Sequence, residues 1–208
     1  MALEVSCPRC TSAVTADPDG HRCPNHGEIN PLLRPTHVGY DAFAEMMQQV
    51  VDAPTYLPWP MSPGWSIADF ACVGGAGPTA TVTTTVGTSA LDGHVEVTIV
   101  SEDPGVGLGA RCAAVDVIDP GGSLIEEAPA VRVRAGGRAV ALWPIDGGDG
   151  PPLERSVFAG ECDGRWLWLV MRPASAALLL HDEWLLADVT GFGPEAIEMP
   201  FGGDRPTW

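Results

Sequence analysis

The sequence predicts a mainly β protein of the α+β class: a small N-terminal ribbon, one helix, then a mostly antiparallel β-sandwich or partly closed barrel. Three observations predict it. Two cysteine turns stand near the N-terminus, Cys7-Pro8-Arg9-Cys10 and Cys23-Pro24-Asn25-His26. One stretch, beginning at Asp41, carries helical periodicity. From Trp65 onward, apolar residues alternate along short runs separated by Gly- and Asp-bearing turns.

The head comes first. Twelve residues separate Cys10 from Cys23, the spacing of two metal-binding turns at the ends of a ribbon hairpin. Ser12-Ala13-Val14-Thr15 and His21-Arg22 are the expected strands, and Asp17-Pro18-Asp19-Gly20 is the turn between them. Gly27, directly after His26, suits the positive φ that closes such a turn, while Thr11 holds the matching place after Cys10. Roughly 35 residues bury too little surface to fold alone, so a structural ion is expected to supply the missing stability. Three thiolates and one imidazole favour a single Zn2+ per chain, with Cys7, Cys10, Cys23 and His26 as ligands of a zinc ribbon. Those four fill a tetrahedral set, which leaves no position for a catalytic water even though Glu28 is close in sequence. His21 is the rival fourth ligand, on the wrong side of Cys23 for the two-residue spacing. A redox role for the Cys-x-x-Cys turn would need a βαβ setting that the flanks lack.

Pro31 and Pro35 end the ribbon. Asp41 then suits an N-cap, and Phe43, Met46, Met47, Val50 and Val51 share one helical face, with Pro54 as the stop. That face is expected to pack as core. Residues 54–65 alternate proline with other residues and contain Trp59 and Trp65, which makes a stiff, extended connector.

Strands are expected over residues 79–86 and 94–100. Residues 131–134 and 138–143 flank Gly136-Gly137, and 157–162 and 165–171 flank Asp163-Gly164, two hairpin signals. Residues 176–181 and 184–189 suggest a third pair. In the run 165–171, Trp166, Trp168 and Val170 alternate with Leu167, Leu169 and Met171, so both faces are apolar and need covering layers. A second sheet can supply the cover, or a partner chain. The Gly- and Pro-rich tail is expected to be loose unless Phe201 or Trp208 ties it down. Four segments follow: a zinc ribbon over 1–34, a helix and Pro-rich connector over 35–63, a β-rich domain over 64–190 and a loose tail over 191–208.

Outside the head, chemistry is thinly signalled. Gly105, Gly107 and Ala110 formally match G-x-G-x-x-A, and Gly109 and Arg111 stand where a nucleotide phosphate would be met. A dinucleotide site needs a βαβ unit, whereas these flanks look like meander strands, so a glycine-rich connection is the plainer expectation. His181, Asp182 and Glu183 gather at an expected polar hairpin tip. No Ser or Cys stands in a nucleophile context, and Cys72, Cys112 and Cys162 sit among small or apolar residues as buried thiols. The loop 146–150 has two carboxylates, too few for a calcium loop.

Composition narrows the partners. The chain has 208 residues, 45% of them hydrophobic, with 27 acidic residues against 11 basic ones and a net charge of −16. Every basic residue is Arg. Charge of this sign disfavours naked nucleic acid and anionic membranes, because phosphate binding relies on Lys and Arg to displace counterions. Residues 1–6 show neither a basic nor an apolar leader region, and no run reaches the ~18–20 apolar residues of a membrane helix. A cytoplasmic protein with metal-bound rather than disulfide-paired cysteines is expected.

The Cys-Pro-Arg-Cys head, the 58–60 and 63–65 Pro/Trp segments, the 105–111 run, and Val157-Phe158-Ala159-Gly160-Glu161 followed by Trp166-Leu167-Trp168 resemble a zinc-ribbon-headed family of uncharacterised actinobacterial proteins. The resemblance spans nearly the whole chain and implies no catalytic residues. The expected function is a protein-interaction or adaptor module with a structural zinc, binding another protein or itself as a homodimer. The alternative is a small-molecule or nucleotide-binding protein or enzyme that uses residues 105–111.

Overall fold

A computed structural model describes residues 2–18, 20–50, 52–74, 77–122, 128–147, 151, 153–181, 184–192, 196 and 198–208. Asp19 of the expected head turn, Val51 of the helix face, Asp182 and Glu183 of the polar tip, and Gly148, Asp149 and Gly150 of the acidic loop lie outside the described residues.

The strands are β1 (Leu3–Ser6), β2 (Thr15–Asp17), β3 (Gly20–Cys23), β4 (Gly27–Ile29), β5 (Leu32–Pro35), β6 (Tyr56–Pro58) and β7 (Ser66–Gly74). They continue as β8 (Pro78–Ser89), β9 (Gly93–Glu102), β10 (Val131–Ala135), β11 (Arg138–Pro144), β12 (Ser156–Cys162), β13 (Arg165–Arg172) and β14 (Leu185–Asp188). The helices are α1 (Tyr40–Gln49) and α2 (Leu108–Ala113). A large sheet runs β1-β5-β7-β8-β9-β13-β12-β11-β10-β14-β6, and a small one runs β2-β3-β4. Every neighbour pair is antiparallel except β10 with β14. The protein is therefore mostly β, with few helices and no closed barrel.

Local sequence explains the hairpins. Gly136 and Gly137 take φ of 54° and 84°, and Asp163 and Gly164 take 55° and 78°, the positive-φ pairs that two-residue turns of strand-matching twist require. Both turns close where the sequence places them, joining β10 to β11 and β12 to β13.

The sheet curls back on itself, and its last strand crosses the middle. β6 packs across β8 and β9. The hydroxyls of Thr81 and Thr83 donate to the carbonyls of Pro54 and Tyr56, each at 2.6 Å. This gives the threonine face of β8 its purpose: it satisfies carbonyls that a barrel seam would otherwise pair by backbone. The two-faced strand β13 is covered on both sides. Trp168 and Val170 join a core with α2 and β8, whereas Leu167, Leu169 and Met171 join one with β10, β11 and β14. A third core forms under α1, where Phe43, Met46 and Val50 pack on Leu57, Ile67 and Phe70.

Several elements differ from expectation: α2 is a helix where a glycine-rich connection was expected, and the first head strand is Thr15–Asp17 rather than 12–15. Residues 176–181 are not a strand; Ala174–His181 forms a 3-10 helix, because an unbroken apolar run has no period to distinguish the two. α1 begins at Tyr40 after Gly39 without a side-chain cap, so Asp41 lies in the first turn as a favourable negative charge rather than at the N-cap. The tail is docked rather than loose. Phe201 bridges to Ile67 and packs on Phe43 and Phe70, and Arg205 reaches Asp69. β1 and β5, from the 1–34 segment, belong to the large sheet and flank the hairpin β2–β4.

Candidate metal centre

The first cysteine turn follows β1, and the second links β3 to β4, so two strand ends deliver the four side chains to one point. Gly27 closes the second turn with φ of 70°. The ligand atoms of Cys7, Cys10, Cys23 and His26 all lie within 4.8 Å of one another. His26 turns Nδ1 inward, 3.4 Å from Cys7 Sγ and 3.6 Å from both Cys10 Sγ and Cys23 Sγ; the Cys10 and Cys23 sulfurs are 3.6 Å apart. A tetrahedral ion with metal–sulfur bonds of about 2.3 Å and a metal–nitrogen bond of about 2.05 Å has S···S edges of ~3.8 Å and S···N edges of ~3.6 Å. The donor set fits such an ion. It is the one cluster of this kind among the described residues.

Outer hydrogen bonds hold the sulfurs. The Arg9 N–H donates to Cys7 Sγ at 3.4 Å, and Asn25 Nδ2 donates to Cys10 Sγ at 3.8 Å and to Ser12 Oγ at 3.0 Å. In the ligand set by itself, burial pushes the Cys7 thiol up to about 11. Cys10 is also raised by burial, but hydrogen bonds from Ser12 and sharing with its neighbouring thiols bring it down to about 6. A bound dication deprotonates such thiols outright.

The glycine stretch 105–111 lies beside this head, but its donors are occupied. α2 opens at Leu108 after Gly107, whose φ is 83°. The Leu108 and Gly109 N–H groups donate to the Glu102 carboxylate at 2.6 and 3.2 Å, and the Gly105 N–H donates to Asp119 at 2.8 Å. Glu102 thus stands where a phosphate would stand. It is fully buried, and that burial raises its carboxyl to about 7 against the pull of the two N–H groups. At the other helix end, Arg172 and Arg155 donate to the carbonyls of Cys112 and Ala114 at 3.3 and 3.2 Å, complementing the helix dipole. Gly109 serves packing, since a Cβ there would lie 2.3 Å from the buried Trp168 indole. Arg111 donates to the Cys7 carbonyl, to Ser6 Oγ at 3.3 Å and to the main-chain oxygen of Trp208 at 3.2 Å.

Other sequence candidates stay apart. Burial raises the Cys72 thiol to about 11 and raises Cys112 and Cys162 as well, and Cys162 Sγ sits 3.6 Å from the Tyr56 hydroxyl. None is a ready thiolate. His181 ends the 3-10 helix and is not a member of the Cys3His cluster.

Sequence reasoning missed the fastenings around the head. Arg9 donates to the carbonyls of Val106 (3.0 Å) and Gly105, joining head to body. Asp69, fully buried, accepts from Arg34 Nε at 2.7 Å and Arg205 Nη2 at 3.0 Å. A lone carboxylate inside the apolar run 67–73 was the available signal for that node.

Fold and site together define a β-rich protein with a Cys3His cluster at one end of its sheet. The chain belongs to a family of unknown function, DUF6758, whose model matches residues 1–207. No curated protein and no solved structure matches it. No helix is long and apolar enough to cross a membrane among the described residues.

Proposed function

We propose that this protein is a zinc-stabilised binding module, working in the reducing cytoplasm, that holds another protein or a second copy of itself. Zinc is the ion that the donor set favours: three sulfurs and one imidazole nitrogen at tetrahedral edges, with every position supplied by the chain. A closed set of this kind serves structure rather than catalysis.

The observation that carries the binding reading is a groove of about 430 Å³ formed where β6 and β14 meet the 3-10 helix. Its walls include Trp59, Met61, Trp65, Trp184 and Leu185, and no lining residue is charged, in a chain of net charge −16. Leu185, on the groove wall, stands 42% exposed. Uncharged aromatic surface is what the buried centres of protein interfaces are made of. The test is light scattering after size exclusion, with pull-down from lysate, on the wild type and on Leu185→Glu. Self-association or partner capture that Leu185→Glu abolishes supports the reading. A wild type that stays monomeric and captures nothing removes it.

A further inference from the structure

A second, chemically opposite cleft lies between head, body and tail. It has a volume of about 1030 Å³, and its walls include Arg9 and His26 from the head, Gly107 and Arg111 around α2, Arg34 from β5, and Trp208. Asp116 is the acidic residue on its wall. Arg9 donates to the carbonyls of Val106 and Gly105, and Arg111 donates to the Cys7 carbonyl, the Ser6 hydroxyl and a Trp208 main-chain oxygen. Arg111 is half-buried, and its Nε is buried with no hydrogen-bond partner. Three arginines against one acidic residue give this wall a positive balance, and a concave wall concentrates its field.

Trp208 shows what the cleft accepts. Its ring lies 4.3 Å from the Arg34 guanidinium carbon and 5.6 Å from that of Arg111, while its main-chain oxygen takes the Arg111 hydrogen bond at 3.2 Å. A flat ring stacks on one guanidinium as an oxygen is gripped by another. We propose that this cleft is a binding site for a small organic anion, a planar ring carrying a carboxylate or phosphate, and that Trp208 is its resident occupant. The incoming ring replaces the indole over Arg34, and its oxyanion takes the donors of Arg111 and Arg9. This site is separate from the uncharged groove, and its test does not depend on self-association.

The experiment is calorimetric titration of the zinc-loaded full chain at low salt with indole-3-propionate, adenosine 5′-monophosphate and inorganic phosphate. The expected result is saturable binding of a ring-bearing anion that weakens as salt is added, with phosphate alone weaker. Preference between the two ring-bearing probes tells an aromatic carboxylate from a nucleotide. Trp208→Ala, which removes the competing ring, binds the preferred probe more tightly, by roughly tenfold for an occupant present in nine molecules of ten. Arg9→Gln weakens it by about tenfold, the worth of one charged hydrogen bond. The exposed Arg9 side chain bonds the Val106 and Gly105 carbonyls rather than a ligand side chain, so Arg9→Gln is expected to keep its zinc, which elemental analysis checks, even if Arg111→Gln unseats the head. Absence of binding to both wild type and Trp208→Ala overturns the proposal, as does binding that Arg9→Gln and Arg111→Gln leave unchanged. Phosphate binding as tightly as either ring-bearing anion overturns the role assigned to the ring.

Discussion

The guanidinium of Arg111 donates to the main-chain oxygen of Cys7, which fastens the short helix α2 to the first cysteine turn. The same side chain reaches the Trp208 main-chain oxygen at 3.2 Å. Head, body and tail therefore meet at one residue. The sequence marks Arg111 as a possible phosphate reader, and in the fold its resting role is that of a joint between head, body and tail. An ion held by the cluster would be coupled to head docking through it, because the Cys7 carbonyl keeps its position only while its turn is folded.

Removing a ligand is expected to release the ion and unfold the hairpin β2–β4 while the large sheet persists. Structural zinc contributes apparent stabilities of about 10–16 kcal/mol in small zinc domains, far more than this hairpin's few apolar contacts can replace. The body has its own three cores, none of which draws on the ligands Cys10 or His26. Elemental analysis should find one zinc per chain in the wild type and little in Cys10→Ser or Cys23→Ser. Far-UV dichroism should keep its β signal in both. Full zinc retention in both variants would refute the ligand assignment.

Asp69 is expected to be the costliest surface-remote charge to neutralise. It is fully buried and takes Arg34 on one oxygen and Arg205 on the other, and both arginines also hold tail or β5 carbonyls. Asp69→Asn leaves the partly buried Arg34 without its anion and Arg205 with the exposed Glu4 at 3.6 Å, at a cost of about 3 kcal/mol. The tail loses its anchor at Arg205 as well. Urea midpoints should fall, and limited proteolysis should cut beyond Phe201 sooner. An unchanged midpoint together with unchanged cleavage would show that the node is idle.

Gly109→Ala tests whether the glycine run serves packing or ligand binding. An added Cβ would meet the Trp168 ring at 2.3 Å, and Trp168 is fully enclosed in the core that α2 shares with β8 and β9. Overpacking of this kind typically costs about 1–3 kcal/mol. Thermal unfolding of the variant should begin earlier, by an amount that adding a nucleotide does not restore. A variant as stable as wild type would show that Trp168 can move aside.

What was legible follows from range. The alternation of Trp168 and Val170 with Leu167, Leu169 and Met171 is a period-two pattern within one strand, and the structure keeps both faces as the pattern has them. The clustering of Cys7, Cys10, Cys23 and His26 was legible for the same reason, since each pair lies within one turn. Glu102 was not, because the acid sits at the end of β9 and caps a helix that its own glycines disfavour. Nor was the Ala174–His181 helix, whose Leu178–Leu180 run has no period at all. The Thr81 and Thr83 hydroxyls declared a polar face in sequence, but the carbonyls they serve come from residues 54 and 56, brought over only by the curl of the sheet.

Glu102 makes stability depend on pH with a definite sign. Burial raises its carboxyl from 4.5 in the unfolded reference to about 7 in the fold. Between those values the native state binds the proton that the unfolded state has lost, so this group's stabilising contribution is full below pH 4.5 and disappears as pH rises through about 7. The span corresponds to a change on the order of 3 kcal/mol. Glu102→Gln cannot titrate and still offers an oxygen to the Leu108 or Gly109 N–H. Comparing the two proteins cancels the titration of the other groups, including the metal ligands. The urea stability of wild type minus that of Glu102→Gln should therefore be smaller at pH 8 than at pH 5. Equal differences at the two pH values would mean that Glu102 is ionised throughout, held as a carboxylate by the N–H groups of α2 despite its burial.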